Sequence, residues 1–165
     1  MNHGLAPLLA LTLFMAPGFD LGTGSAACRA WELDGYRIGM SRDEILDVRS
    51  VTIHKEGQAE VVQRGHFSGV LVLDPTIGLE KWQVHYEHRE AEELRAELTS
   101  RLGKPVSDET KTMFEDPTNA MRQRRTIWRS DACNAAIAVD ETINTGDTAS
   151  RSVVVTLAVS SRLKR

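Results

Sequence analysis

Apolar and polar positions alternate with two different periods along this chain of 165 residues. From Val51 the period is two, with Val51, Ile53 and Lys55 on one side and Thr52, His54 and Glu56 on the other, which predicts a strand. Gly57-Gln58 predicts a hairpin turn into a second strand over 59–64, and the glycines that flank His66-Phe67-Ser68 predict a further tight reversal. The apolar run from Val70 to Leu73, stopped by Asp74-Pro75, reads as a central strand. Glu80 to Tyr86 alternates cleanly, with Trp82, Val84 and Tyr86 on one face.

Helical periods appear twice. At Met40-Ser41-Arg42-Asp43-Glu44-Ile45, Ser41 and Glu44 have the spacing of a reciprocal capping box, Met40 and Ile45 that of a hydrophobic staple, and Asp43 and Glu44 suit the positive end of a helix dipole. These cues predict a helix over 41–49, preceded by a short strand over 30–38. Ala91, Leu94, Leu98 and Leu102 then form one apolar stripe and predict a helix over 88–102, ended by Gly103 and Pro105. Beyond it, strands are predicted over 122–130, 132–140 and 151–160, the last two separated by a polar loop from Glu141 to Ser150. The resulting expectation is an α+β fold of two helix-plus-antiparallel-sheet units packed as a single domain over 27–165, with tandem units at 30–86 and 87–165.

The first 26 residues stand outside this pattern. An apolar run from Leu5 to Met15 leads through small residues at Gly24 to Ala27 into Cys28, the organisation of an export signal peptide over 1–26, although no Lys or Arg precedes the run. The run is too short to span a bilayer, and no later segment approaches spanning length. Export to the periplasm or the medium would place the only two cysteines, Cys28 and Cys133, in an oxidising compartment, where they are expected to pair. Lipid attachment at Cys28 is the lesser alternative, because it would leave Cys133 unpaired.

Charge narrows the partner classes. Removal of residues 1–26 takes away one acid, Asp20, and no base, leaving 22 acids against 20 bases. A nearly balanced domain without a dominant basic surface argues against nucleic acid as the partner.

The stretch from Tyr36 to Ile45, which contains Gly39-Met40-Ser41-Arg42-Asp43-Glu44-Ile45, resembles the opening of small exported bacterial domains of the BamE/SmpA type. The order of a helix followed by strands is similar to the tandem units of the β-lactamase-inhibitor-like fold. That resemblance implies an envelope protein that binds other proteins. It carries over no site residue, since helix capping already accounts for the matched positions.

Candidate chemistry is sparse. His54, His66 and His85 lie in or beside predicted strands, where a sheet face could gather them around a metal ion, but no pair has a recognised ligand spacing. No nucleophile elbow, phosphate-cradling loop or His-Glu-x-x-His helix occurs in the mature chain. Arg122-Gln123-Arg124-Arg125-Thr126-Ile127-Trp128-Arg129 is the strongest surface signal. Alternation places Arg122, Arg124 and Trp128 on one strand face, suited to an acidic partner or another anionic ligand. The expectation is therefore an exported, non-enzymatic protein that binds another envelope protein as an assembly factor or inhibitor, with no cofactor. An envelope enzyme or metal-binding protein using His54, His66 and His85 is the alternative.

Overall fold

The computed structural model describes residues 26–48, 52–56, 59–64, 67–86, 91–116, 118–146 and 149–163. The export segment lies outside the described residues apart from Ala26. The described chain opens with a short 3-10 turn, Ala26–Ala30, that carries Cys28. A two-stranded hairpin follows, β1 (Glu32–Leu33) and β2 (Tyr36–Arg37). Its turn is Asp34-Gly35, both residues at positive φ (56° and 87°), the pairing that lets a two-residue loop match the twist of its strands.

Helix α1 (Arg42–Val48) begins as its capping residues require. The Ser41 N–H donates to Glu44 Oε2 at 2.7 Å, and the Glu44 N–H donates to Ser41 Oγ at 3.3 Å. Four antiparallel strands come next: β3 (Thr52–Glu56), β4 (Ala59–Arg64), β5 (Phe67–Asp74) and β6 (Gly78–Tyr86). Helix α2 (Ala91–Leu102) leads into β7 (Ser107–Glu115), β8 (Ala120–Ser130), β9 (Ala135–Thr145) and β10 (Ser150–Val159).

The fold corrects the expected α+β class. All eight long strands belong to one antiparallel sheet in the order β3-β4-β5-β6-β10-β9-β8-β7. The described residues are mostly antiparallel sheet with two short α-helices, not two helix-plus-sheet units packed together. The junction explains why. Had each run of four strands formed a separate open sheet, β6 and β10 would have been exposed apolar edges, and such edges invite pairing. Instead they pair with each other, Val84 opposite Val155 and Trp82 opposite Leu157.

Three strand assignments differ from expectation: the single strand expected over 30–38 is the β1–β2 hairpin, reversed at Asp34-Gly35, and two others differ for related reasons. Strand β7 has no apolar alternation to reveal it, because nearly all of its side chains are exposed. Strand β9 runs on to Thr145 through the segment read as a loop, since Glu141 and Thr142 are paired on both sides by β8 and β10. Cys133 accordingly sits in the turn before β9 rather than inside a strand.

The main core lies between one face of the sheet and the layer made by the amino-terminal hairpin, α1 and α2. Ile45 from α1 and Ala91, Leu94 and Leu98 from α2 meet Trp82, Val84, Ile137, Val139, Val155 and Leu157 from the sheet. A smaller cluster of Ile127, Ala136, Ala138, Ala158 and Leu163 forms on the opposite face. Trp82 is the centre of the larger core. Its ring packs against that of Tyr36 with centroids 4.8 Å apart, and its indole N–H donates to Asp34 Oδ2 at 3.4 Å.

Candidate partner-binding surface

Cys28 and Cys133 form the expected disulfide, with Cα atoms 5.4 Å apart, so the amino-terminal turn is tied to the β8–β9 reversal. Both sulfurs belong to buried residues, and the bridge acts as a clamp on the core.

Arg122, Arg124 and Trp128 do share one face of β8, as alternation requires, but they occupy different surroundings. Trp128 is only 1% exposed and donates its indole N–H to the carbonyl of Gly103, just past the end of α2, at 3.0 Å. It anchors the helix to the sheet. Arg124 grips Asp108 of β7 with two parallel bonds, Nε to Oδ1 at 2.9 Å and Nη2 to Oδ2 at 2.7 Å, and also reaches Glu92 of α2. The geometry is the bidentate fork that guanidinium and carboxylate favour. Arg122 alone of the three is exposed.

Under α2, this pairing continues inward as a buried charge layer that the apolar pattern did not announce. Arg95 occupies a core-facing position of α2 between Leu94 and Leu98, yet is only 5% exposed. Its Nη1 donates to Glu141 Oε2 at 2.8 Å and to Glu92 Oε1 at 3.0 Å, and its Nε donates to Thr126 Oγ1 at 2.9 Å. Glu141 also accepts from Arg151 Nε at 2.6 Å. Burial pushes the Glu141 carboxyl upward, but the bonds from Arg95 and Arg151 outweigh it and hold the group below the usual carboxylate range. The Arg124 fork likewise lowers Asp108. On the opposite face, burial raises Asp140 despite Arg125 nearby. This layer fixes the register of α2 over β7, β8 and β9; a basic residue inside an apolar stripe flanked by acids was its one sequence signal.

The histidines are not brought together within the described residues. His85 is exposed on the face of β6 opposite Trp82 and Val84, while His66 and the side chain of His54 lie outside the described residues. Among the described residues, no group of three or more His, Cys, Asp or Glu side chains is placed to hold a metal ion.

The sheet has two outer strands, β3 and β7. Strand β7 has β8 on one side and, among the described residues, no strand on the other. At its carboxyl end a bulge interrupts the pairing between Thr112 and Phe114. There Met113 is 58% and Phe114 52% exposed, and Met121, opposite Phe114 on β8, is exposed as well. An open cleft of about 450 Å³ adjoins them, with Phe114, Ala120 and Met121 on its apolar side and Asp116, Asn119 and Asn144 on its polar side. Asp116 is committed to its own turn, its Oδ1 accepting from the N–H groups of Thr118 and Asn119. Among the described residues the surface thus offers unpaired backbone groups beside exposed apolar side chains, a combination that an added strand can use. Compared with known protein families, curated proteins and solved structures, the chain matches none.

Proposed function

We propose that this chain is an exported, non-enzymatic protein of the bacterial envelope that acts by binding another protein, as an assembly factor or inhibitor, and that the edge of β7 with its Met113–Phe114 corner is where the partner docks. The observation that carries this reading is a nine-residue strand, Ser107–Glu115, open along one side among the described residues and ending in large exposed apolar side chains. Native sheets usually cover or shorten such an edge, and one left long is a template for an added strand. Export is supported by the Cys28–Cys133 bridge, which is compatible with an oxidising compartment. No helix among the described residues is long and apolar enough to cross a membrane.

The test is site-specific photocrosslinking in intact cells. A photoreactive residue at Met113 is expected to give a discrete adduct with another polypeptide, and the same residue at Lys81, in the interior of the sheet, is expected to give none. Equal labelling from both positions, or none from Met113, would remove the β7 edge as the docking site.

A further inference from the structure

We infer that the strand docking on β7 is β7 of a second copy of the same chain, paired antiparallel about Thr110. This rests on the reading of β7 as a docking edge and names its occupant.

The backbone decides which residues can pair. The Val106 N–H donates to the Ile127 carbonyl at 2.8 Å and the Asp116 N–H to the Asn119 carbonyl at 2.8 Å, one at each end of β7. Counting inward from these through the paired register, and through the bulge between Thr112 and Phe114, directs the backbone groups of Ser107, Glu109 and Lys111 toward β8. The N–H and C=O groups of Asp108, Thr110 and Thr112 are left directed away from the sheet. Any added antiparallel strand must bond to those three residues.

Charge then selects among the registers in which two copies can do so. A closed dimer of identical chains is two-fold symmetric, so one residue lies on the axis opposite itself. An axis at Glu109 would oppose two carboxylates, and an axis at Lys111 would oppose two ammonium groups; directly opposed like charges are unfavourable. With the axis at Thr110, Asp108 of each copy pairs with Thr112 of the other, and Glu109 of each faces Lys111 of the other on the same side of the sheet. Glu109 and Lys111 already lie 3.7 Å apart within one strand, so the symmetric arrangement gathers two acids and two bases in alternation. The same register carries the exposed Val106 of one copy to the exposed Met113 and Phe114 of the other, covering apolar side chains at both ends. The result is a continuous antiparallel sheet across the two copies.

Sedimentation of the full mature chain over a range of concentrations, with charge exchange at the two positions, tests this. The wild-type chain is expected to equilibrate between monomer and dimer. Lys111→Glu and Glu109→Lys are each expected to weaken the dimer by about tenfold, and the double variant to recover it, because two opposed pairs change sign and then change back. Both side chains are mostly exposed, so unchanged urea midpoints of the variants are the folding control. A chain that stays monomeric at every concentration overturns the inference, and so does a dimer indifferent to the single exchanges. If the chain is monomeric while a photoreactive Met113 still captures a different polypeptide, self-pairing fails and the docking edge stands; if it is monomeric and captures nothing, both fail.

Discussion

Gly69 on β5 lies directly beneath the indole of Trp82 on β6: a Cβ built on Gly69 would sit 2.1 Å from Cη2 and 2.4 Å from Cζ3 of that ring. Trp82 is fully buried and is held by Tyr36 and Asp34, so it cannot withdraw. Gly69→Ala is therefore expected to cost about 1–3 kcal/mol by overpacking. Urea unfolding measures this, and the cost should shrink when Gly69→Ala is combined with Trp82→Phe, whose smaller ring makes room.

The Cys28–Cys133 bridge closes a loop spanning 105 positions of sequence. On the chain-entropy account, opening it releases about 5 kcal/mol worth of unfolded-state freedom. A Cys28→Ser, Cys133→Ser double variant is expected to lose most of that in urea unfolding. Equal stability of the variant and the oxidised chain would show that the amino-terminal clamp contributes nothing to the core.

Acid should unfold this protein through the charge layer under α2. Glu141 and Asp108 are held below their ordinary values, so the stability they confer is fully present above the unfolded carboxylate range, about pH 4 to 4.5, and is lost as pH falls through their lower folded values. Asp140 works in the opposite sense, because its raised value means that acid relieves a burial penalty. In urea titrations at a series of pH values, Glu141→Gln is expected to flatten the acid limb and Asp140→Asn to steepen it. At neutral pH, Glu141→Gln should also cost about 3 kcal/mol, since it leaves the buried Arg95 without its main partner.

Intact mass of the native protein, taken under non-reducing conditions with thiol labelling before and after reduction, tests the compartment. The expected species lacks residues 1–26 and hides both thiols until reduction. A full-length chain with two free thiols would remove the export reading, and a lipid-sized increase on Cys28 would make the protein membrane-tethered.

The sequence by itself determined what depends on neighbours along the chain. The Ser41–Glu44 capping box, the stripe of Ala91, Leu94 and Leu98, and the alternation of Trp82, Val84 and Tyr86 are all local periodicities, and each formed where it was read. Only the tertiary structure decided features whose cause lies elsewhere in the chain. Strand β7 exists because β8 offers it backbone partners, not because its own residues demand burial. Trp128 became a helix anchor and Arg124 a clamp on Asp108 because α2 and β7 arrived on that face. Arg95 is tolerated inside the core only because Glu141 and Thr126, thirty or more residues away, meet it there. The single sheet follows from β6 meeting β10. Hydrophobic periodicity reports which face of an element is buried but carries no information about which edge it joins, because edge pairing uses backbone groups that every residue shares.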